Sequence, residues 1–394
     1  MSTVGENAAG LTELLWELVR IDSVNPAFSG GRSSELPIAE RVARELRNTG
    51  LDVDRYETVP GRVSVVGRLP GRGTGPSLLL YAHLDTVGVE EMADPFSGDR
   101  REGRLYGRGA YDMKGGLAAC LWAARTVAEE DGALDGDLLV AAVADEETES
   151  LGMFEVLRHV RPTAAIVTEP TELQLGVAHK GFLWLEAVAR GRAAHGSRPH
   201  LGRDANLGLA TALTGLRRLE RRYAEAPGHP LLGRPSVHVG TLAGGVAPSV
   251  YAARSRAQIE RRTLPGERRE AVVAELEEAL AAGSEPVGGV RLMVQPLLHR
   301  SAFEARKRSP LAAVLRRVAR ERLGEAPAEV GISFWTDAAL LADAGVDAIL
   351  FGPAGDGAHA DEEWVDLASV ARVAEILAEA ARAYCRRESG GSRA

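Results

Sequence analysis

Cysteine is nearly absent from this 394-residue sequence. There are two, Cys120 in GGLAACLWAARTV and Cys385 in AARAYCRRE, both in Ala-rich, helix-like surroundings. That leaves no material for a disulfide framework or a thiolate zinc site; the expectation is two packing residues in a reducing, cytoplasmic compartment. Positive charge is also short: 47 Lys plus Arg stand against 55 Asp plus Glu, a formal charge of −8. A nucleic-acid groove or an anionic membrane is therefore not an expected partner, and a small molecule is. No apolar run reaches the ~18 residues of a membrane span. The first residues, MSTVGENAAGLTELLWELVRID, lack a basic start and carry Glu13 and Glu17 inside the apolar pattern, so they predict an amphipathic helix and not a signal peptide. Nor is there a G-x-S-x-G elbow, a P-loop or a G-x-G-x-x-G fingerprint; GRGAYD has only the first two glycines of the last.

What is present is a chain longer than the ~250–300 residues at which one hydrophobic core stops growing, so two domains are expected. Strands (GRVSVVGRL, SLLLYAHLDTV, GDLLVAAVADEE, TAAIVTEP) alternate with helix KGGLAACLWAARTVAEE up to about residue 176. This alternation predicts an α/β layer fold around a mostly parallel central sheet. The order then changes to strand GFLWLEAVAR, helix GRDANLGLATALTGLRRLERRY, strands SVHVGTL and RSRAQIERRT, helix ERREAVVAELEEALAAG and strand VRLMVQPL. That βαββαβ order is the ferredoxin-like unit. Helix PLAAVLRRVARERLG, strand VDAILFGP and a closing helix from about Asp366 return to α/β. The expected organisation is a catalytic domain in two parts, residues 1–177 and 295–394, with an inserted lid over residues 178–294.

Ligands of open α/β sheets bind at the carboxyl ends of the strands, and here those ends are acidic. His83 and Asp85 end one strand, Asp112 follows LYGRGAYD, Asp145 to Glu147 end another, Glu169 ends TAAIVTE, and His359 follows LFGPAGDGA. Carboxylates gathered this way repel one another unless a cation neutralises them. The donor types suit Zn²⁺, with Co²⁺ or Mn²⁺ tolerated. Two divalent ions and a bridging hydroxide would neutralise three ligand carboxylates, whereas one ion would leave the cluster anionic. Asp112 is the natural bridge, with His83 and Glu169 completing one ion and Glu147 and His359 the other. Asp85, on the same strand face as His83, is expected to accept the free imidazole N–H with its carboxylate and orient the ring. Glu146 is expected to take the proton from the attacking water. Taken singly, each residue has an ordinary explanation: a strand-end histidine, a tight turn, a solvated helix start, an Arg262 paired with Glu260. None explains why all the acids and histidines fall at strand ends. Thr336 and Asp337 are expected to cap a helix.

In order, HLDTV, PFSGDRREGRLYGRGAYDMKGG, ADEE, TEPT, AAHGSRPHLGRDA, ERRTLPGE and FGPAGDGAHADEE resemble the cocatalytic zinc aminoacylase and carboxypeptidase superfamily, over nearly the whole chain. That superfamily includes acetylornithine deacetylase, succinyl-diaminopimelate desuccinylase, aminoacylase and glutamate carboxypeptidase. The resemblance implies a dizinc amidohydrolase with two Zn²⁺ (or Co²⁺) per subunit. Its substrate would be an N-acyl amino acid or short peptide with a free carboxylate, and its lid often forms a homodimer interface. It puts ligand, base and orienting roles on His83, Asp85, Asp112, Glu146, Glu147, Glu169 and His359. It further implies that His195 in AAHGSRP stabilises the oxyanion, often from a partner subunit, and that Arg262 in ERRTLPGE grips the substrate carboxylate. One departure stands out: in GGVAPSVYAARSRAQIERR, Ser249 replaces the usual Asn and Ala252 the following proline. The wording leans to the acetylornithine deacetylase side, with dipeptidase, glutamate-type carboxypeptidase and desuccinylase activities as alternatives. A degenerate relative that only binds its ligand would be expected to have lost a metal ligand or Glu146, and none is missing.

Overall fold

Leu78–His83 and Leu138–Val143 are buried along their whole length and aliphatic except at Tyr81 and His83, as strands must largely be when both faces of a sheet are covered. The computed structural model describes residues 2–130, 134–283 and 289–386. The chain divides into two compact units, one of Met1–Val177, Ala305–Val330 and Thr336–Ala394, the other of Ala178–Glu304 and Gly331–Trp335.

In the first unit the sheet runs in the order Asp52–Val59, Arg62–Leu69, Leu138–Val143, Leu78–His83, Ala164–Val167, Asp347–Leu350, Leu175–His179. Its four central strands are parallel. The flanks are antiparallel, so the sheet is mixed. One reason is local: Pro60 and Gly61 (φ 84°) join the first two strands in a tight hairpin, which only antiparallel strands allow. Helices Gly115–Ala128 and Leu367–Tyr384 pack against each other beside this sheet. Both cysteines are buried and free, Cys120 within the helix Gly115–Ala128 and Cys385 at the C-terminal end of Leu367–Tyr384. The N-terminal stretch is helical over Ser2–Val19, and no helix among the described residues is long and apolar enough to cross a membrane.

A small second sheet was not foreseen. It joins Arg100–Arg101, Arg104–Tyr106, Trp364–Asp366 and Gly355–Asp356. By pairing Trp364–Asp366 with Arg104–Tyr106 it brings the loop that carries His359 beside the turn that carries Asp112.

The second unit has a four-stranded antiparallel sheet in the order Ser236–Gly244, Arg254–Thr263, Gly181–Arg190, Arg291–Arg300. This is the ferredoxin-like order. Helices Ala205–Glu225 and Arg269–Gly283 cover one face, where Leu183, Leu185, Ala187, Leu209, Leu216, Ile259, Leu276 and Leu280 form the core. Alternate residues of each strand point to the other face. The unit runs past residue 294 to Glu304, because Arg291–Arg300 pairs with Gly181–Arg190 along its whole length.

Candidate metal centre

All four parallel strands of the first unit end on the same side. Their loops carry His83, Asp145 to Glu147, Glu169 and His359. Asp112 comes from the turn Ala110–Lys114, where its backbone is non-helical. This turn can sit close to the Thr168–Glu169 strand end because Gly116, in the first turn of the next helix, has no side chain; a Cβ there would lie 2.2 Å from the Thr168 carbonyl oxygen. Asp145 and His359 both have left-handed backbones (φ 72° and 62°), uncommon for residues with side chains and a feature of functional loops.

Asp112 stands between two histidines and gives one oxygen to each. His83 Nε2 is 3.1 Å from Asp112 Oδ1 and 3.8 Å from Glu169 Oε1. His359 Nε2 is 3.3 Å from Asp112 Oδ2 and 3.2 Å from Glu147 Oε2. The result is two three-residue groups that could each hold an ion and that share Asp112: His83, Asp112 and Glu169, and Asp112, Glu147 and His359. His83, Glu169 and Glu147 are shielded from solvent, whereas His359 is half exposed.

The electrostatics are those of a site built around positive charge. Burial, with Asp112 and Glu147 nearby, pushes the Glu169 carboxyl far above the usual carboxylate range. Glu146 rises for the same first reason, with the Glu169 charge adding to it, and burial and Asp112 raise Glu147. Burial would raise Asp112 as well, but hydrogen bonds from His359 and His83 prevail and hold it below its usual value. Those bonds to Asp112 and Glu147 lift His359 to about 10. Burial opposes the charging of His83, yet its bond to Asp112 raises it overall. Glu146 Oε1 and Glu147 Oε1 are buried without hydrogen-bond partners. A pair of divalent ions suits this donor set: two imidazoles, three carboxylates and a central acid with one oxygen per side.

The structure corrects the expected role of Asp85. His83 Nδ1–H donates to the backbone carbonyl of Asp85 at 2.9 Å, and the Asp85 carboxylate is 3.8 Å away. That carbonyl fixes the tautomer and turns Nε2 toward Asp112. The Asp85 carboxylate instead accepts the backbone N–H groups of Glu146 and Glu147, each at 3.1 Å, and Asn25 Nδ2 at 2.8 Å. It therefore sets the turn that aims the two glutamates. Beneath lies a third acidic group, Glu35, Asp85 and Asp145, whose cation belongs to the chain. Arg62 pairs with Glu35 at 3.1 Å and with Asp145, and donates to Asn25 Oδ1 at 3.2 Å.

Sequence reasoning missed Glu363. Its buried carboxylate accepts the N–H groups of Gly109, Tyr111 and Asp112, each at 2.9 Å, and Arg108 Nη1 at 2.8 Å. Four donors on one carboxylate hold the turn that presents Asp112. Thr336 caps as expected, accepting from Ala338 N at 3.2 Å. Asp337 makes no capping bond; it accepts the Tyr81 hydroxyl at 2.6 Å, because the Tyr81 ring is wholly buried and its O–H needs a partner.

The remaining candidates lie in the second unit. His195 is exposed, with Nδ1 2.8 Å from Ser197 Oγ. Ser249 is beside it: the Gly196 N–H donates to the Ser249 carbonyl at 2.8 Å, and His195 bridges Val250. Arg262 is at the opposite end of the strand that follows Ser249, on the face away from the helices. It rests over Phe182, its Nε donates to Glu260 at 2.7 Å, and its two Nη groups have no partner among the described residues. From Arg254 to Arg262 the strand spans about 26 Å at its usual rise.

A family model described as peptidase family M20/M25/M40 matches residues 79–383. An acetylornithine deacetylase from Proteus mirabilis is 30% identical over 386 residues, covering 95% of this chain and 96% of the relative. An N-formyl-4-amino-5-aminomethyl-2-methylpyrimidine deformylase from Halalkalibacterium halodurans is 26% identical over 409 residues, covering 96% and 95%. Among solved structures, a tripeptidase from Staphylococcus aureus superposes with a TM-score of 0.80 at 20% identity, covering 96% of this chain and 99% of the other. A dinuclear metal-binding peptidase of the M20 family from Bacillus subtilis superposes with a TM-score of 0.74 at 14% identity, covering 96% and 98%.

Proposed function

The chain belongs to peptidase family M20/M25/M40 and is a metal-dependent hydrolase acting on C–N bonds, and from that premise we propose that it deacylates N-acyl amino acids in the manner of an acetylornithine deacetylase. The carrying observation is Asp112 between two histidines, one oxygen to each. His83, Asp112, Glu147, Glu169 and His359 would hold two Zn²⁺ or Co²⁺ ions. Bound there, such ions supply Lewis-acid polarisation of the amide carbonyl and an acidified water. Glu146 takes the proton of the attacking water and delivers it to the leaving amine nitrogen. Its position supports this: it belongs to neither ligand group, and its Oε1 is buried and unpartnered. Arg262 holds the substrate carboxylate through its free Nη fork. The full-length relatives named deacetylase and deformylase favour acyl removal over peptide cleavage.

His195 donates to the oxyanion, with Ser249 at the same pocket edge. One small substrate cannot reach both Arg262 and the His195 of the same second unit, because the length of the sheet separates them. The second unit would therefore act as a lid and as the interface of a homodimer, each protomer receiving the partner's His195. The outer strand Ser236–Gly244, exposed on both faces apart from Val237, offers an edge for that association.

The test is a panel of N-acetyl, N-formyl and N-succinyl amino acids and dipeptides, assayed with added Zn²⁺ or Co²⁺. N-acetyl amino acids with a free carboxylate are expected to be hydrolysed best, their amide-blocked forms poorly, and Arg262→Lys should raise KM for the former. Faster cleavage of dipeptides than of any N-acyl amino acid would overturn the deacylase reading. Equal rates on blocked and free substrates would remove Arg262 from it.

A further inference from the structure

The end of the second unit's sheet nearest His195 and Ser249 carries a row of arginines that the hydrolase reading does not use. The strand register places Arg190 directly opposite Arg254 on one side and Arg291 on the other. Arg256 follows on the same face, two residues along from Arg254. Their neighbours Ala189, Ser255 and Leu292 point to the core side, so all four arginines lie on the open face, and all four are exposed. Adjacent strands are about 4.8 Å apart, and like charges directly opposite one another destabilise a sheet. The chain has 55 acidic residues, eight more than its basic ones, yet none forms an ion pair with these four among the described residues. The same unit's Arg222, Arg261 and Arg262 are all paired with glutamates.

A repulsive row that makes no ion pair among the described residues, with Glu186 the nearby acid on the same face, is an arrangement that an anionic ligand would relieve. Arg254 and Arg256 also border an open cavity of about 480 Å³, lined by Ala243, Gly244, Gly245, Val250 and Tyr251. That volume suits a small molecule. Guanidinium groups bind phosphate and carboxylate groups bidentately, and a row of them at strand spacing matches several such groups on one molecule. We propose that Arg190, Arg254, Arg256 and Arg291 form a binding site for a small polyanion, a compound with two or more phosphate or carboxylate groups. The site lies at the end of the second unit's sheet that also carries His195 and Ser249, but the four arginines are not assigned to the hydrolase chemistry and their binding of an anion does not rest on the metal-centre reading.

The experiment titrates the full-length, metal-loaded protein at constant ionic strength with fructose 1,6-bisphosphate and with tricarballylate, both weak chelators, while metal content is monitored. One saturable site per chain is expected for at least one of them, and which one binds identifies the ligand as phosphate- or carboxylate-bearing. Arg190→Gln and Arg254→Gln should each weaken binding about tenfold or more, whereas Arg268→Gln, an exposed arginine outside the row, should leave it unchanged. Without anion at low salt, Arg190→Thr should raise Tm by relieving the row, and it should lose the ligand-induced rise in Tm. Absence of saturable binding by both probes, or equal Kd values for wild type and Arg254→Gln, would overturn the proposal.

Discussion

Glu146 and Glu147 are consecutive, and their backbone N–H groups are held by the same Asp85 carboxylate, but their side chains go to different tasks. Only Glu147 reaches a histidine of the centre. Glu146→Gln is therefore expected to retain metal while kcat falls by about 10²–10⁴. Glu147→Gln should weaken metal binding. Glu363→Gln should do so too, since its amide N–H₂ would face N–H donors that now share a carboxylate. Equal metal retention in all three, by elemental analysis after dialysis, would show these roles to be misassigned. Glu35 gives a pH-dependent prediction away from the ligands. Burial, then Asp85, raises its carboxyl from 4.5 to about 7, so between those values the folded state binds more protons than the unfolded one. Stability from this group is therefore lost as pH rises from about 4.5 to 7, on the order of 1–3 kcal/mol. Urea midpoints measured across that window should show the decline in wild type and a flatter profile in Glu35→Gln; parallel profiles would contradict it. The ligand candidates were legible because acids and histidines at the ends of buried strands have few other reasons to be there. Glu363 was not: ADEEW offers three neighbouring acids, and only the small sheet around Trp364 decides which one turns inward. Arg62 and Asn25 were hidden likewise, since their partners lie far along the chain.

At the level of elements, the second unit's βαββαβ order could be read from alternating strands and amphipathic helices, while strand Asp52–Val59 was missed. That strand is largely exposed at a sheet edge and shows no apolar face to betray it. The antiparallel flanks of the main sheet escaped for a related reason: periodicity marks a strand but not its direction. How closely the second unit's two helices approach was equally invisible. They meet at small residues, and a Cβ on Gly215 would fall 1.7 Å from the Ala279 carbonyl oxygen, one on Gly283 2.3 Å from that of Ala212. Neither obstacle is a flexible side-chain end, so the helices must move apart. Gly215→Ala should lower the stability of the second unit by about 1–3 kcal/mol, or more if the shift spreads, despite alanine's better helix propensity. Denaturant unfolding would register this as a lower midpoint, and an unchanged or higher midpoint would contradict the close packing.

For the whole molecule, the separation of His195 from Arg262 within one second unit leads to a mixing experiment. His195→Ala and Glu146→Gln proteins should each be nearly inactive. Hybrid dimers formed by co-refolding the two should regain activity, because the His195→Ala protomer keeps its own Glu146 and receives the partner's His195. Activity no greater than the sum of the parents would place His195 in its own protomer's chemistry, or outside the chemistry altogether. The division into two units carries a further consequence, for the time order in which the protein is made. The whole of Ala178–Glu304 lies in the chain between Glu169 and His359. A ribosome releasing the chain from its N-terminus exposes His83, Asp112, Glu147 and Glu169 first, then a unit that carries its own core, and His359 and Glu363 only near the end. The nascent chain therefore offers one complete ligand group while the other still lacks its histidine and the turn beneath Asp112 still lacks its clamp. The strand Asp347–Leu350, which pairs with Ala164–Val167, arrives equally late, so the main sheet closes only after the inserted unit has been synthesised. On the two-ion reading proposed above, loading of the second ion would be tied to completion of the polypeptide, and a chain truncated before residue 359 would hold one ion at most.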